Sequence, residues 1–203
     1  ETVVVAVSDR DGAVLGVFRM AGIGLPAAGI QALADEAVRK ARTAAFLSSD
    51  QHGFTTLTAC FITRPHFPPG APNLPGGPLF GVPLSSLSGS DIQPNGSGLS
   101  GTPGGVPVYK SGALVGGLGI AGGTILESSD ATLCGSRTTD ELIALAGVIG
   151  YEVPASRRGD NILIDGIRFL YANNATPNIN FTLTWDDLTA GDGVPDFPIK
   201  GAP

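Results

Sequence analysis

The sequence predicts a fold of mixed α/β (α+β) class, in which antiparallel β-hairpins pack against amphipathic helices. Two observations carry this prediction: apolar β-branched runs are joined in pairs by short glycine-containing turns, and two segments repeat apolar residues at helical spacing. The chain has 203 residues, 42% of them hydrophobic and 15% charged, which is enough for one domain with a sizeable core. We therefore expect a single domain over residues 1–203.

The first elements are a hairpin and a helix. The runs TVVVAVSD (2–9) and AVLGVFRM (13–20) flank Asp11-Gly12, a dipeptide that favours the positive φ angles of a tight turn. The segment IQALADEAVRKARTAAFLSS (30–49) then places its apolar residues on one helical face, made mostly of alanine. An alanine face predicts a helix that lies close against a sheet.

The middle of the chain is rich in glycine and proline. The run FTTLTACFIT (54–63) is predicted to be a strand because of its β-branched content, although a buried helical turn is the alternative. Of the 43 residues from Pro65 to Pro107, 20 are Gly or Pro. We expect residues 51–103 to form an insertion, held on the protein surface by its scattered apolar side chains.

The second half repeats the hairpin and helix pattern. VPVYK (106–110) and ALVGGLGIAG (113–122) predict a hairpin that turns at Ser111-Gly112. TTDELIALAGVIGY (138–151) predicts a helix with Thr139 as N-cap. A C-terminal extension over residues 152–203 holds a third hairpin signal, with Asp165-Gly166 as its turn, a strand-like run at 179–185 and an extended tail.

Gly117, Gly119 and Gly122 spell G-x-G-x-x-G, a pattern typical of dinucleotide-binding loops. In such loops the motif ends a strand and opens a helix, whereas here it lies within an apolar run that begins at Ala113. We therefore interpret these glycines as strand positions at which a helix or a ligand approaches the sheet closely.

The net charge and the composition limit the kinds of partner and the location that we expect for this protein. The 12 Lys and Arg against 18 Asp and Glu give a net charge of −6, which argues against nucleic acid as a partner. No apolar run has the roughly 20 residues needed to cross a bilayer. The chain starts at Glu1 without an initiator Met, which suggests that an N-terminal segment has been processed off, cut away or left out, for example a removed signal peptide. The composition favours a periplasmic or extracellular location. Cys60 and Cys134 are equally consistent with one disulfide or two buried thiols.

Several segments together resemble the haem-binding proteins of the HbpS and GlcG type, often labelled haem-degrading. They are the hairpin that ends in VFRM-AG, the motif KARTAA (40–45), the stretch GGVPVYKSGALVGGLGIAGG (104–123) and the helix that starts TTDELIALAG (138–147). The resemblance implies a profilin-like domain with an antiparallel sheet of about five strands and packed helices. It also implies haem as the cofactor and assembly into homo-oligomers, often octamers. Two features depart from the family pattern. The helix that usually precedes the first hairpin is not among residues 1–203, so we expect either that these residues are a fragment or that this layer is supplied elsewhere. The long insertion also replaces a short connection.

Haem iron is commonly held by His, Met, Tyr or Cys, and propionates favour Arg or Lys. His52, directly after the helix that carries KARTAA, is the first candidate for the iron ligand, against the alternative of a surface histidine at a helix end. The other candidates for haem contacts, each with a structural alternative as a core, loop or surface residue, are Met20, Tyr109, His66, Arg19, Lys40 and Arg42.

The sequence does not contain the complete motif of a hydrolase, a zinc site or a calcium loop. GSGLSG (96–101) does not match the G-x-S-x-G motif of a hydrolase. The two His and two Cys are isolated in the sequence and do not have the paired spacing of zinc ligands. The acidic residues near 186–196 do not have the spacing of a calcium loop, and a solvated tail is the simpler interpretation. The sequence thus predicts haem binding, sequestration or sensing, with slow haem degradation as a side activity. A non-catalytic assembly domain and an enzyme acting on a small metabolite in the same pocket are the alternatives.

Overall fold

A computed structural model describes residues 3–20, 24–68, 71, 73–81, 98–127, 137–164 and 166–172. Three α-helices and eight strands lie in these ranges, together with two short 3-10 helices at Ala155–Arg157 and Gly159–Asn161. In chain order the α-helices and strands are β1 (Val4–Asp9), β2 (Val14–Arg19), α1 (Ala27–Leu47), α2 (Thr56–Ile62), β3 (Gly105–Lys110), β4 (Ala113–Ala121), β5 (Ile125–Glu127), β6 (Arg137–Thr138), α3 (Thr139–Gly147), β7 (Leu163–Ile164) and β8 (Ile167–Arg168).

The main sheet is antiparallel and has the strand order β2-β1-β4-β3. Within the described ranges it has four strands, where about five were expected, because the shorter strands pair elsewhere. Strands β5 and β6 form one two-stranded sheet, and β7 and β8 form another. The α+β class is confirmed.

Helix α1 packs against one face of the sheet through the alanine stripe that the sequence predicts. Gly117 and Gly119 make this approach possible. A Cβ on either residue would stand 2.0 Å from a helix carbonyl oxygen, that of Ala41 or Ala37 respectively. The close neighbour of the G-x-G-x-x-G run is therefore a helix.

Helix α3 packs against the other face of the sheet. Its Ala144 and the following Val148 join Val106, Leu118 and Ile120 in a buried apolar cluster. The sheet thus has a helix on each side of β4. Thr139, expected as the N-cap, is instead the first residue of α3, and its hydroxyl accepts a hydrogen bond from the Thr124 N–H at 2.8 Å.

All three predicted hairpins form. Gly12 has φ 83°, and Ser111 and Gly112 have φ 52° and 80°, so both turns of the main sheet use the left-handed conformations expected of their residues. The third hairpin is the pair β7–β8.

The prediction of a strand at 54–63 is wrong, because this segment contains helix α2. Thr55 caps the helix, its hydroxyl accepting from the Thr58 N–H at 3.1 Å while the Thr58 hydroxyl accepts from the Thr55 N–H at 3.3 Å. Every residue of α2 except Cys60 is buried, so the helix shows no amphipathic pattern. Its β-branched residues are typical of a strand, which is why the sequence pattern predicts one here.

Several predictions fall outside the described residues. These are the strand-like run 179–185, the acidic residues at 186–196, the pairing of Cys134 and much of the insertion between residues 82 and 97. Among the helices that the structure describes, none is long and apolar enough to cross a membrane.

Candidate functional site

His66 lies in a loop that folds back on itself after α2. The loop is held by backbone hydrogen bonds that join Leu79 to Ile62, Gly77 to Arg64 and Phe67 to Pro75, at 2.9 to 3.1 Å. Phe67 and Leu79 pack with α2 in a buried cluster. The described part of this Gly/Pro-rich stretch is therefore anchored on the protein through Phe67 and Leu79.

The imidazole of His66 is exposed and oriented by the backbone. Its Nδ1 lies 2.7 Å from the carbonyl oxygen of Leu74. Because a carbonyl only accepts, Nδ1 carries a proton in this contact, and in the neutral ring the lone pair is therefore on Nε2. Leu74 and Phe80 of the same loop are also exposed. An oriented imidazole with an available Nε2 is the arrangement that histidine ligands of metals commonly show.

His52 lies in the turn that follows α1. Its N–H donates to the Ser49 hydroxyl at 3.1 Å, and its carbonyl accepts from the Ser49 N–H at 2.7 Å. The exposed imidazole stacks on Phe54 with an interplanar angle of 5°. Stacking fixes the plane of this ring, while the described residues show no hydrogen bond that would select its tautomer.

Tyr109 is buried beside this turn. Its hydroxyl donates to the carbonyl oxygens of Ser49, at 2.6 Å, and His52, at 3.2 Å. Burial, with a smaller contribution from the Asp50 carboxylate, raises the pKa of Tyr109 to about 12. The phenol therefore stays protonated near neutral pH and is engaged with backbone, which does not suit a phenolate ligand of iron.

Asp50 is a positioning residue of this turn that the sequence did not single out. One of its carboxylate oxygens accepts a hydrogen bond from the Leu114 N–H at 2.9 Å, and the other lies 3.5 Å from the guanidinium of Arg10. The Leu114 hydrogen bond, and secondarily Arg10, lower the pKa of Asp50. Asp50 thereby ties the end of α1 to the β3–β4 hairpin.

Lys40, the first residue of KARTAA, is a buried residue of α1 whose side chain reaches the sheet and the first turn of α3. Its ammonium donates to Asp140 at 2.8 Å and to the Ile120 carbonyl at 2.7 Å. The other oxygen of Asp140 accepts from the Gly123 N–H at 2.7 Å. This side chain is thus committed to a contact inside the protein instead of a surface anion.

The remaining candidates lie on or beside the first hairpin. Arg42 donates through Nε to the Gly12 carbonyl at 2.9 Å. Arg19 and Met20, at the end of β2, are both exposed.

The structure brings only some of these candidates together. His52, Tyr109 and Arg42 lie at the end of the sheet that holds the hairpin turns, with Tyr109 opposite Leu114. Arg19, Met20 and Lys40 lie at the other end, near Ile120. Leu114 and Ile120 are six positions apart along β4, a distance of about 20 Å. His66 occupies a third place, on the loop after α2.

One cavity, of about 130 Å³, opens between α1, α2 and the segment around Ser100. It is smaller than the roughly 300–1,000 Å³ typical of sites for drug-sized ligands, so a haem would not fit inside it. Within the described residues, no three His, Cys, Asp or Glu side chains cluster as they would to hold a metal ion.

Comparisons with known proteins identify relatives. A family model described as "Haem degrading protein HbpS-like" matches residues 1–134. No curated protein matches the chain.

Among solved structures, the chain is similar to Klebsiella pneumoniae protein ORFY, described with family model DUF336, at 21% identity and TM-score 0.42 over 73% of each chain. A PduOC haem complex matches at 23% identity and TM-score 0.42, over 75% of this chain and 80% of that one. A double mutant of Streptomyces reticuli HbpS matches at 24% identity and TM-score 0.38, over 73% and 70% of the two chains.

Proposed function

The chain belongs to the HbpS-like family of haem-degrading proteins, and from this premise we propose that it binds haem in order to sequester or sense it. The family match over residues 1–134 is the observation that carries the proposal, since this range includes the main sheet, α1, α2 and the loop of His66. Slow degradation of the bound haem, a periplasmic or extracellular location and assembly into homo-oligomers belong to the same proposal.

Haem would supply an iron centre that takes a nitrogen or sulfur ligand from the protein. We assign this role to Nε2 of His66, because its ring is exposed and already oriented by the Leu74 carbonyl. Exposed Leu74 and Phe80 offer apolar surface to a porphyrin face. His52 is the second choice as iron ligand, because its imidazole is exposed but stacks on Phe54.

The residues that could bind the haem propionates differ in whether their cationic groups are already engaged within the protein. Arg19 is exposed on β2, whereas Lys40 is buried against Asp140 and Arg42 is bonded to the Gly12 carbonyl. The proposal therefore omits Lys40. Arg19 and Met20 lie at the end of β2, away from the loop of His66, so a haem held by His66 does not use them, and they stay predictions for a haem bound at that end of the sheet.

The test is a titration of the purified chain with haemin, followed through the Soret band. We expect a saturable shift in the wild type, its loss or a Kd raised about tenfold or more in His66→Ala, and an unchanged shift in His52→Ala. The two variants are matched controls, since both remove an exposed imidazole from a turn or loop.

A wild type without a saturable shift would reject haem binding. A shift that survives in His66→Ala but disappears in His52→Ala would transfer the ligand role to His52. Loss of the Soret band over time with a reductant and oxygen would report the degradation activity.

A further inference from the structure

Strand β2 is an edge of the main sheet and carries apolar side chains in an unusual arrangement. In the described part of the chain it pairs only with β1. Large apolar residues of β2 and its end are exposed, at 42% to 67%, namely Val14, Leu15, Val17, Phe18 and Met20. Exposed apolar edge strands are rare in monomeric proteins because they pair readily with other strands.

The apolar residues lie on both faces of the sheet. Val17 is opposite Ala6, which faces α1, whereas Phe18 is opposite Val5, which packs against the cluster on the α3 side. A helix packed on one face of β2 would contact either Val17 or Phe18, but not both. A strand paired with the edge of β2 places its own side chains beside residues on both faces, so apolar residues on both faces fit a strand better than a helix as the partner.

The backbone of β2 also offers hydrogen bonds to such a strand. The N–H of Met20 donates to the Val3 carbonyl at 3.1 Å, so the pair of Met20 and Val3 is a hydrogen-bonded one. Antiparallel ladders alternate, and the N–H and C=O groups of Arg19 and Val17 therefore point away from β1, towards the outer edge.

The opposite edge of the sheet, formed by β3, is closed. The Gly105 N–H donates to the Thr56 hydroxyl at 2.9 Å, and the Tyr109 N–H donates to the Tyr151 carbonyl at 2.8 Å. Pro107, between them, has no N–H to offer. Of the two edges of the main sheet in the described residues, β2 is the open one, so two copies that join these sheets edge to edge meet through β2 and β2, an isologous and closed contact.

From these observations we propose that β2 pairs antiparallel with β2 of a second copy of this chain, about a two-fold axis through Val17. The two sheets of four strands then become one continuous sheet. This contact gives the oligomer of the proposed function a defined surface, and it does not depend on haem.

The register through Val17 is self-complementary. It places Val17 opposite Val17 and Phe18 opposite Gly16, a position without a side chain over which the Phe18 ring of the same strand already lies. The two Arg19 side chains lie four residues apart along the strands, about 13 Å, which limits their repulsion.

The first test measures the mass in solution, without haemin, by size-exclusion chromatography with light scattering at tens of micromolar chain. We expect the wild type at twice the chain mass of 20.5 kDa or at a multiple of that dimer. Val17→Lys should lower the measured mass at least twofold, because the ammonium faces its copy across the axis. Leu163→Lys is the matched control, an exposed apolar residue on a different strand, at 56% against 44% for Val17, and should keep the wild-type mass.

A wild type at 20.5 kDa overturns the proposal, including the case in which a segment of the same chain covers β2. An unchanged mass in Val17→Lys overturns it as well. Circular dichroism of each variant identifies unfolding, and failure of haem binding would leave these masses unaffected.

The second test reads the register directly. Val17→Cys should form a disulfide between copies under mild oxidation, seen as a reducible dimer band stronger than that of the wild type, which has two cysteines of its own. Leu163→Cys should not exceed the wild-type background. Equal cross-linking of the two variants would contradict pairing at Val17.

Discussion

Lys40 and Asp140 form an ion pair whose side chains are only 2% and 7% exposed. Lys40 lies in the middle of α1, and Asp140 lies in the first turn of α3. The pair therefore joins the two helices that cover opposite faces of the sheet. A buried pair of this kind contributes little net stability compared with apolar residues, but the loss of one partner leaves a buried charge uncompensated.

We predict that Lys40→Met lowers the free energy of unfolding by about 3–5 kcal/mol, since the Asp140 carboxylate stays buried without its cation. Adding Asp140→Asn should restore part of this loss. Urea unfolding followed by circular dichroism measures both effects. The control is Arg10→Met, which removes the exposed partner of Asp50 and should change stability little. Equal losses in Lys40→Met and Arg10→Met would contradict the special role of the buried pair.

Tyr109 makes the stability depend on alkaline pH. Burial raises its pKa from 10.0 in the unfolded chain to about 12 in the folded protein, so the folded state holds the phenolic proton more tightly. The resulting stabilisation is complete below pH 10 and is lost as the pH rises towards about 12. Burial also raises the pKa of Tyr171, whose ring lies 4.6 Å from the Arg158 guanidinium.

We predict that the stability of the wild type falls between pH 10 and about 12, and that this fall is shallower in Tyr109→Phe. At neutral pH, Tyr109→Phe should also lose about 1 kcal/mol because the hydrogen bond to the Ser49 carbonyl is removed. Urea unfolding at several pH values measures both. A pH slope equal to that of the wild type would contradict the raised pKa of Tyr109.

At the scale of elements, α1 and β4 determine the fold together. The alanine face of the helix and the glycines of the strand are two halves of one contact, in which neither side has room for larger side chains. The same glycine spacing in another context would bind a pyrophosphate. Here the strand continues through the motif, and the space above the glycines is filled by helix backbone.

We predict that Gly119→Ala or Gly117→Ala destabilises the protein by about 3 kcal/mol, since the new methyl group would lie 2.0 Å from a helix carbonyl oxygen. Thermal unfolding followed by circular dichroism measures the change. Gly24→Ala is the control, because nothing lies within 4 Å of the added atom. A Gly119 variant as stable as the Gly24 variant would show that α1 is not held closely on the sheet.

Helix α2 is the element whose type the local sequence pattern does not predict correctly. Its threonines belong to a cap and to contacts with the chain near residues 170 and 171, where the Thr58 hydroxyl donates to the Leu170 carbonyl at 2.5 Å. A helix buried on nearly all sides has no polar face, so hydrophobic periodicity cannot distinguish it from a buried strand. The one available signal is the threonine pair of the capping box.

At the scale of the whole molecule, the two edges of the main sheet differ. Edge β3 is closed by Pro107 and by hydrogen bonds to neighbouring segments, whereas edge β2 exposes apolar side chains on both faces. Pairing through β2 leaves the loop of His66 on a different element, so assembly and haem binding are separable properties. The variants at Val17 and His66 test them independently.

Local signals in the sequence are enough to predict the hairpins, the two amphipathic helices and the family, since turn dipeptides, alanine periodicity and the GGVPVYKSGALVGGLGIAGG stretch each act over a few residues. Which candidate residues remain available to a ligand depends on the folded arrangement of the chain. Lys40 and Tyr109 are as polar in sequence as Arg19 and His66, yet partners distant in the chain bury the first two. Burial depends on contacts between residues such as Lys40 and Asp140, 100 positions apart, and no local pattern reports those contacts.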